Sequence, residues 1–406
     1  MADSLEIRLA ERRVGELTGL GNDRTIFVFD DAYVEDPARP TLSLSFKSAT
    51  GELLRDQKPT RIQLLPFFSN LLPEGQLRDY LAERAGVKAV REFHLLAALG
   101  DDLPGAVTAH TPDGSELSNG GTAPAPRFRI PTTDHAMRFS LAGVQLKFSA
   151  VTNADGGLTI PVHGDGGDWI VKLPSNRYEQ VSENEFSMMT MARTIGIEVP
   201  EIKLVALDEI AGLPEGIGRL AGQAFATARF DRPFKQERLH MEDFAQVFGV
   251  YPDEKYGRAS YRNIAEVIWR EVGGPGLVEF IRRLVFNALI GNADMHLKNW
   301  SLLYRDGINA TVAPAYDFVA TTAYIPDEKA SLKVVRSKFW RDFNQDELAY
   351  MAAKAGLPEH LVLKTATDTV AAFREVWGKE KANLPLPGYV AKAIDHQLEI
   401  VPLARH

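Results

Sequence analysis

Cysteine is absent from the 406 residues, which excludes disulfides, thiolate nucleophiles and cysteine-ligated zinc. No apolar run approaches the ~18 residues of a membrane helix, and the opening MADSLEIRLAERR lacks the apolar core of a signal peptide. A cytoplasmic protein without membrane association is the expectation, in keeping with a reducing compartment. Positive charge is in deficit: 46 Lys and Arg against 54 Asp and Glu leave a net charge of −8. That balance argues against a surface built as a nucleic-acid footprint. Internal repeats, Gly-x-Gly-x-x-Gly, Walker, Gly-x-Ser-x-Gly and His-Glu-x-x-His sequences are also missing. What remains is an ordinary globular composition, 45% hydrophobic and 25% charged. Its length suits two or three domains at ~100–200 residues each.

Residues 1–110 read as an α/β unit. Thr25–Phe29 and Leu42–Phe46 alternate like strands, and a helix with Leu77, Tyr80 and Leu81 on one face runs from Pro73 to before Gly86. Residues 111–136 are rich in Pro, Gly, Ser and Thr without periodicity, the pattern of a linker. Residues 137–228 mix strands with a helix. There the run Trp169–Leu173 carries a single lysine, Lys172, and a helix opens at Ser182, where Ser182 and Glu185 have capping-box spacing. From 229 to 406 helical patterns dominate. Phe280, Ile281, Leu284, Val285, Ala288 and Leu289 form a wide apolar stripe that ends at Gly291.

The stretch after that helix, Gly291 to Asn299, carries the chemistry. Asp294 and Asn299 have the Asp-x-x-x-x-Asn spacing of a kinase catalytic loop, in which Asp takes up the acceptor proton and Asn holds Mg²⁺. Alone, such a pair is more often two turn residues. A strand at Trp300–Tyr304, an Asp306-Gly307 turn and a strand at Ala310–Ala313 follow, and then Asp317 in Ala-Tyr-Asp-Phe. That order suits two loops converging on metal-bound phosphates, although Asp317 by itself reads more readily as a turn or helix-capping carboxylate. Lys172 on an apolar strand reads as a phosphate-binding lysine or as an edge-strand lysine with its ammonium in water. Glu183 and Glu185 are both open as its partner. Asp294 and His296 could also ligate a hydrolase metal, but no second ligand cluster accompanies them.

In this order SLAGVQLKF, WIVKLP, ENEF, ARFDR, IGNADMHLKN and AYDF resemble the HipA kinases, toxins of bacterial toxin–antitoxin pairs. FSNLLPEG (Phe68–Gly75) and DLPGA (Asp102–Ala106) resemble the N-terminal domain of their long members. The resemblance implies an α+β, protein-kinase-like two-lobed fold with an additional N-terminal α/β subdomain and an all-helical C-terminal lobe. It implies ATP and Mg²⁺ as cofactors, Asp294 as catalytic base, and Asn299 and Asp317 as metal ligands. For ATP contact it points to Ala142, Gly143, Val144, Gln145, Leu146, Lys147 and Lys172. The hinge Ala228, Arg229 and Phe230, with His296, Lys298, Asn299, Tyr316 and Asp317, completes that set, and Ser140 is the implied autophosphorylation site. The implied activity is a serine/threonine protein kinase acting as a toxin on a translation-related protein, an aminoacyl-tRNA synthetase being one acceptor in the family. The implied partner is a helix-turn-helix, HipB-like antitoxin, with operator DNA reached only through that complex. A catalytically weak co-repressor and a small-metabolite kinase are the competing readings. The intact Asp294, Asn299 and Asp317 oppose the first, and nothing in the sequence names the acceptor.

Overall fold

The computed structural model describes residues 3–112, 146–152, 157–161, 167–213, 220–233 and 237–405. Nearly all of the expected linker and the Ser140–Gln145 part of the expected phosphate loop lie outside the described residues.

The N-terminal unit holds β1 (Ser4–Leu9), β2 (Arg12–Gly21), β3 (Arg24–Phe29), α1 (Asp31–Glu35), β4 (Thr60–Arg61), α2 (Pro66–Ser69), α3 (Gly75–Arg84), α4 (Glu92–Leu99) and β5 (Val107–His110). Its strands form an antiparallel sheet in the order β4-β3-β2-β1-β5. The period-2 alternation of β3 turns Thr25, Phe27 and Phe29 to the buried face. There Phe27 meets Phe29 and Phe68 edge-on, at centroid separations of 4.8 and 5.0 Å. Leu42–Phe46 is not a strand. Ser43 Oγ accepts from the Ser45 N–H and the chain turns into a single 3₁₀ turn at Leu44–Phe46. The reason is divided burial: Phe46 packs in the N-terminal core, while Leu44 packs in the core of the C-terminal lobe.

A second sheet, ordered β10-β7-β6-β8-β11-β9, contains β6 (Lys147–Thr152), β7 (Leu158–Thr159), β8 (Trp169–Lys172), β9 (Ile202–Ala206), β10 (Ile210–Ala211) and β11 (Gln223–Ala228), with α5 (Val181–Thr194) packed against it. The C-terminal lobe comprises β12 (His240–Asp243), α6 (Phe244–Val247), α7 (Tyr261–Glu271), α8 (Gly274–Ile290), β13 (Ser301–Tyr304), β14 (Thr311–Val312), α9 (Gln345–Ala355), α10 (Glu359–Glu380) and α11 (Gly388–Ile400). Helix α8 is buried on nearly every side from Gly276 onward, which makes it the axis of this lobe. The lobe is mainly helical, but the expectation that it is all-helical needs correction: β12, β13 and β14 form an antiparallel sheet within it.

The N-terminal unit docks on both other parts through buried polar groups. Asp231 accepts from the Gly105 N–H at 2.9 Å, and Arg229 bridges Asp231 and Asp102, each at 2.8 Å. A Cβ on Gly105, whose φ is +74°, would lie 2.8 Å from the Met241 nitrogen, so this contact demands glycine. Glu242 of β12 takes hydrogen bonds from the Ser43 hydroxyl, the Leu44 N–H and the Tyr304 hydroxyl. Burial raises the Glu242 carboxyl to about 7, because no ion pair reaches it among the described residues.

A carboxyl whose folded pKa lies above its unfolded value binds more protons when folded, so stability falls as pH rises from about 4.5 to about 7. Glu242→Gln should therefore gain melting temperature relative to wild type at pH 8, and gain less or nothing at pH 5. Thermal melts of both proteins at the two pH values check this; an equal difference at both would contradict the buried-acid assignment.

Candidate active site

Strand register creates the first half of the site. Lys147 of β6 lies directly across from Lys172 of β8, and Phe225 of β11 flanks Lys172 on the other side. Lys172 is thus on an interior strand and 4% exposed, so the edge-strand reading is excluded. Two facing ammonium groups repel one another unless an anion sits between them. Asp317 fills that role: one carboxylate oxygen pairs with Lys172, and the other lies 3.3 Å from Lys147 Nζ.

Glu185 supplies the second anion, its Oε1 lying 2.5 Å from Lys172 Nζ. The capping box expected of Ser182 and Glu185 is not formed. Helix α5 starts instead from Gln180 in left-handed conformation, φ +54°, with no side-chain cap, and the Ser182 hydroxyl has no partner among the described residues. Pairing with a buried ammonium outweighs an N-terminal cap worth ~1 kcal/mol. Glu183 makes no such contact. Burial disfavours charge on Lys172, yet Asp317 and Glu185 overcome it and raise its pKa. Burial opposes ionisation of Asp317 too, but Lys147 and Lys172 hold it well below the usual carboxylate range. For Glu185, burial wins and the pKa rises.

The second half follows α8. Gly291 ends the helix at φ +68°, and a Cβ there would meet Thr322 Oγ1 at 2.3 Å. Asn292, which sequence reasoning missed, organises the loop: its side chain donates to Asn287 Oδ1 and the Asp317 carbonyl, and accepts from the Asp294 N–H. Asn299 donates to the Asp294 carbonyl at 2.9 Å, while Met295 and Leu297 anchor the loop in the core. Asp317 itself is left-handed at φ +58°, a conformation a non-glycine residue keeps only where its surroundings impose it. Tyr316 donates to the Lys298 carbonyl at 2.9 Å and joins the two loops.

Between these halves lies a cavity of about 990 Å³. Its walls include Lys147, Lys172, Ala228, Arg229, Phe230, His296, Lys298, Asn299, Tyr316 and Asp317. Leu146 is buried beside it, and Ala142, Gly143, Val144, Gln145 and Ser140 lie outside the described residues. Asp294 is not a wall; its Oδ1 accepts from the Tyr256 hydroxyl at 2.7 Å, a second partner that no motif announced. At the hinge, the Ala228 and Arg229 N–H groups are already bonded, to the Glu201 and Asp168 carbonyls.

The cavity has the size of a small-molecule pocket. Both His296 ring nitrogens are buried without a partner among the described residues, as is Thr227 Oγ1, and burial with the nearby Lys255 keeps the imidazole neutral. No group of three metal-ligating side chains occurs among the described residues; Asn299 and Asp317 are the two wall residues that could hold a metal ion, with other ligands completing its shell.

Fold and site together define a two-lobed, kinase-like α+β protein with an added N-terminal unit. Residues 5–110 match the HipA N-terminal domain and residues 139–377 the HipA-like C-terminal domain, and the chain belongs to the HipA family. It is 53% identical over 404 residues to "Putative kinase Y4dM" of Sinorhizobium fredii, covering 99% of this chain and 98% of that protein. Identity to the serine/threonine-protein kinase toxin HipA of Shewanella oneidensis is 29% over 412 residues, or 90% and 86% of the two chains. The solved Shewanella oneidensis HipA, in complex with HipB and operator DNA, shares the fold at TM-score 0.74 and 24% identity, over 99% of this chain and 96% of that one.

Removing Lys172 leaves the buried Glu185 carboxylate without its cation and facing Asp317, which Lys147 alone then balances. Lys172→Met should cost on the order of 3 kcal/mol at pH 8, as breaking a buried pair does. The loss should be smaller at pH 5, because burial raises the Glu185 carboxyl and acid therefore favours its neutral form. Denaturant titrations at both pH values test this; a pH-independent loss would count against the charge cluster.

Proposed function

We propose that the chain is an ATP-dependent serine/threonine protein kinase and the toxin of a type II toxin–antitoxin pair. The observation that carries the reading is that Lys172, Glu185, Asn299 and the left-handed Asp317 line one cavity, with Asp294 held behind its wall by the Asn299 hydrogen bond. In the proposed reaction the acceptor hydroxyl attacks the terminal phosphorus of ATP, its proton passes to the Asp294 carboxylate, and ADP leaves. The Tyr256 hydrogen bond fixes the carboxylate's direction. Lys147 and Lys172 face the phosphates. Asn299 and Asp317 would hold Mg²⁺, which when bound neutralises phosphate charge.

The acceptor is a protein of the translation apparatus, and the site of action is the cytoplasm; no helix among the described residues is long and apolar enough to cross a membrane. Ser140 is the site of self-modification. Its phosphate would add roughly −1.5 to −2 charges beside a triphosphate and oppose ATP binding.

Asp294→Asn should bind Mg²⁺–ATP as wild type does and lose transfer by at least ~10²-fold. Labelled ATP in host lysate, with phosphosite mapping, reports the acceptor. Intact mass after Mg²⁺–ATP incubation should show one added phosphate on wild type, at Ser140, and none on Asp294→Asn. Transfer by the variant at near wild-type rate would overturn the reading.

The partner proposed is a separately encoded helix-turn-helix antitoxin, which suits the net charge of −8. Operator DNA should bind the complex with affinity that falls steeply with salt, and the isolated chain weakly at all salt concentrations. Mobility shifts over a salt series decide; tight binding by the chain alone would refute it.

A further inference from the structure

The Phe68–Gly75 segment has a role that the reaction above leaves unassigned. Glu74 stands at the N-cap of α3 but caps nothing, and Gly75 follows at φ +56°. Neither residue favours the start of a helix locally, so the conformation answers to something outside the helix. The Glu74 side chain turns to the C-terminal lobe, where its two oxygens lie 2.6 Å from Lys255 Nζ and 2.8 Å from Lys298 Nζ. Lys298 also donates to the Asn70 carbonyl at 3.1 Å, so the N-terminal unit holds its ammonium at two points. Burial opposes ionisation of Glu74, but Lys298 and Lys255 together hold it down to about 2.

Both lysines lead directly to the reacting groups. Lys298 adjoins Asn299 and lines the cavity. Lys255 accepts from the Leu297 N–H through its carbonyl at 3.4 Å and adjoins Tyr256, the donor to Asp294. We infer that Glu74 is a positioning residue: it spans the two ammonium groups and sets the catalytic loop and the Tyr256–Asp294 contact, so that the N-terminal unit completes the kinase site. The inference rests on the kinase reading.

The test is steady-state phosphorylation by the full chain, with ATP affinity measured separately by calorimetry. Glu74→Ala should lower kcat at least tenfold and change Kd for Mg²⁺–ATP less than threefold, because Lys172 and Asp317 still face the phosphates. Glu74→Asp, one methylene shorter, should recover part of the rate by reaching one lysine. Glu74→Gln, without charge, should recover less. Thr41→Val, which removes a hydrogen bond to the Ile308 carbonyl at the same docking interface, should lower stability without lowering kcat. Equal kcat for Glu74→Ala and wild type would overturn the inference, as would a kcat loss in Thr41→Val matching that of Glu74→Ala. No transfer by wild type would count instead against the kinase reading.

Discussion

Three separate pieces of chain meet at the Lys172 ammonium: its own strand β8, helix α5 through Glu185, and the loop carrying Asp317. Each charge would be costly to bury alone, by several kcal/mol even after relaxation. Together they are tolerable, so sheet, helix and C-terminal lobe are compelled into one arrangement. The β6–β8 register brings Lys147 to the same point and makes an anion obligatory there. Other features follow from this constraint, among them the left-handed Asp317, the Asn292 bond to its carbonyl and the uncapped start of α5.

Docking of the N-terminal unit uses the same kind of interaction. Arg229, Asp231, Arg232 and Asp102 form a buried cluster, and Arg232 also donates to the Leu103 and Gly105 carbonyls. Arginine suits this place because its planar fork satisfies several acceptors at once. Side chains of Arg229 and Arg232 thus serve docking, while the segment's backbone borders the cavity. The N-terminal unit is thereby built into the wall of the site instead of being tethered beside it.

Much of the site was legible where chemistry demands a fixed spacing. Asp294 and Asn299 follow a buried helix and Asp317 follows the hairpin after them, an order that topology alone would not enforce, and Lys172 stands out on an apolar strand. Local patterns misled where a distant partner competed for the same side chain. Glu185 satisfies a capping box on paper but pairs with Lys172, and Leu42–Phe46 alternates like a strand but serves two cores. Asn292, Tyr256 and Glu74 carried no such signal, because their partners lie from five to well over a hundred residues away in the chain. A buried asparagine just past a helix end was the faint exception: it needs several partners at once, which a loop that must hold its shape supplies.

Charge pairing in the cleft explains how four lysines stand together at one cavity. Lys147, Lys172, Lys255 and Lys298 are each paired with a carboxylate, and the carboxylates Asp317, Glu185 and Glu74 are one fewer. A cleft lined by unpaired lysines would repel itself and draw the loops apart. Pairing removes that repulsion and keeps the four ammonium groups at the cavity wall. In the kinase proposed above, preorganised groups of this kind would need little reorganisation at the moment of transfer, and such preorganisation is the main electrostatic contribution of a phosphoryl-transfer site.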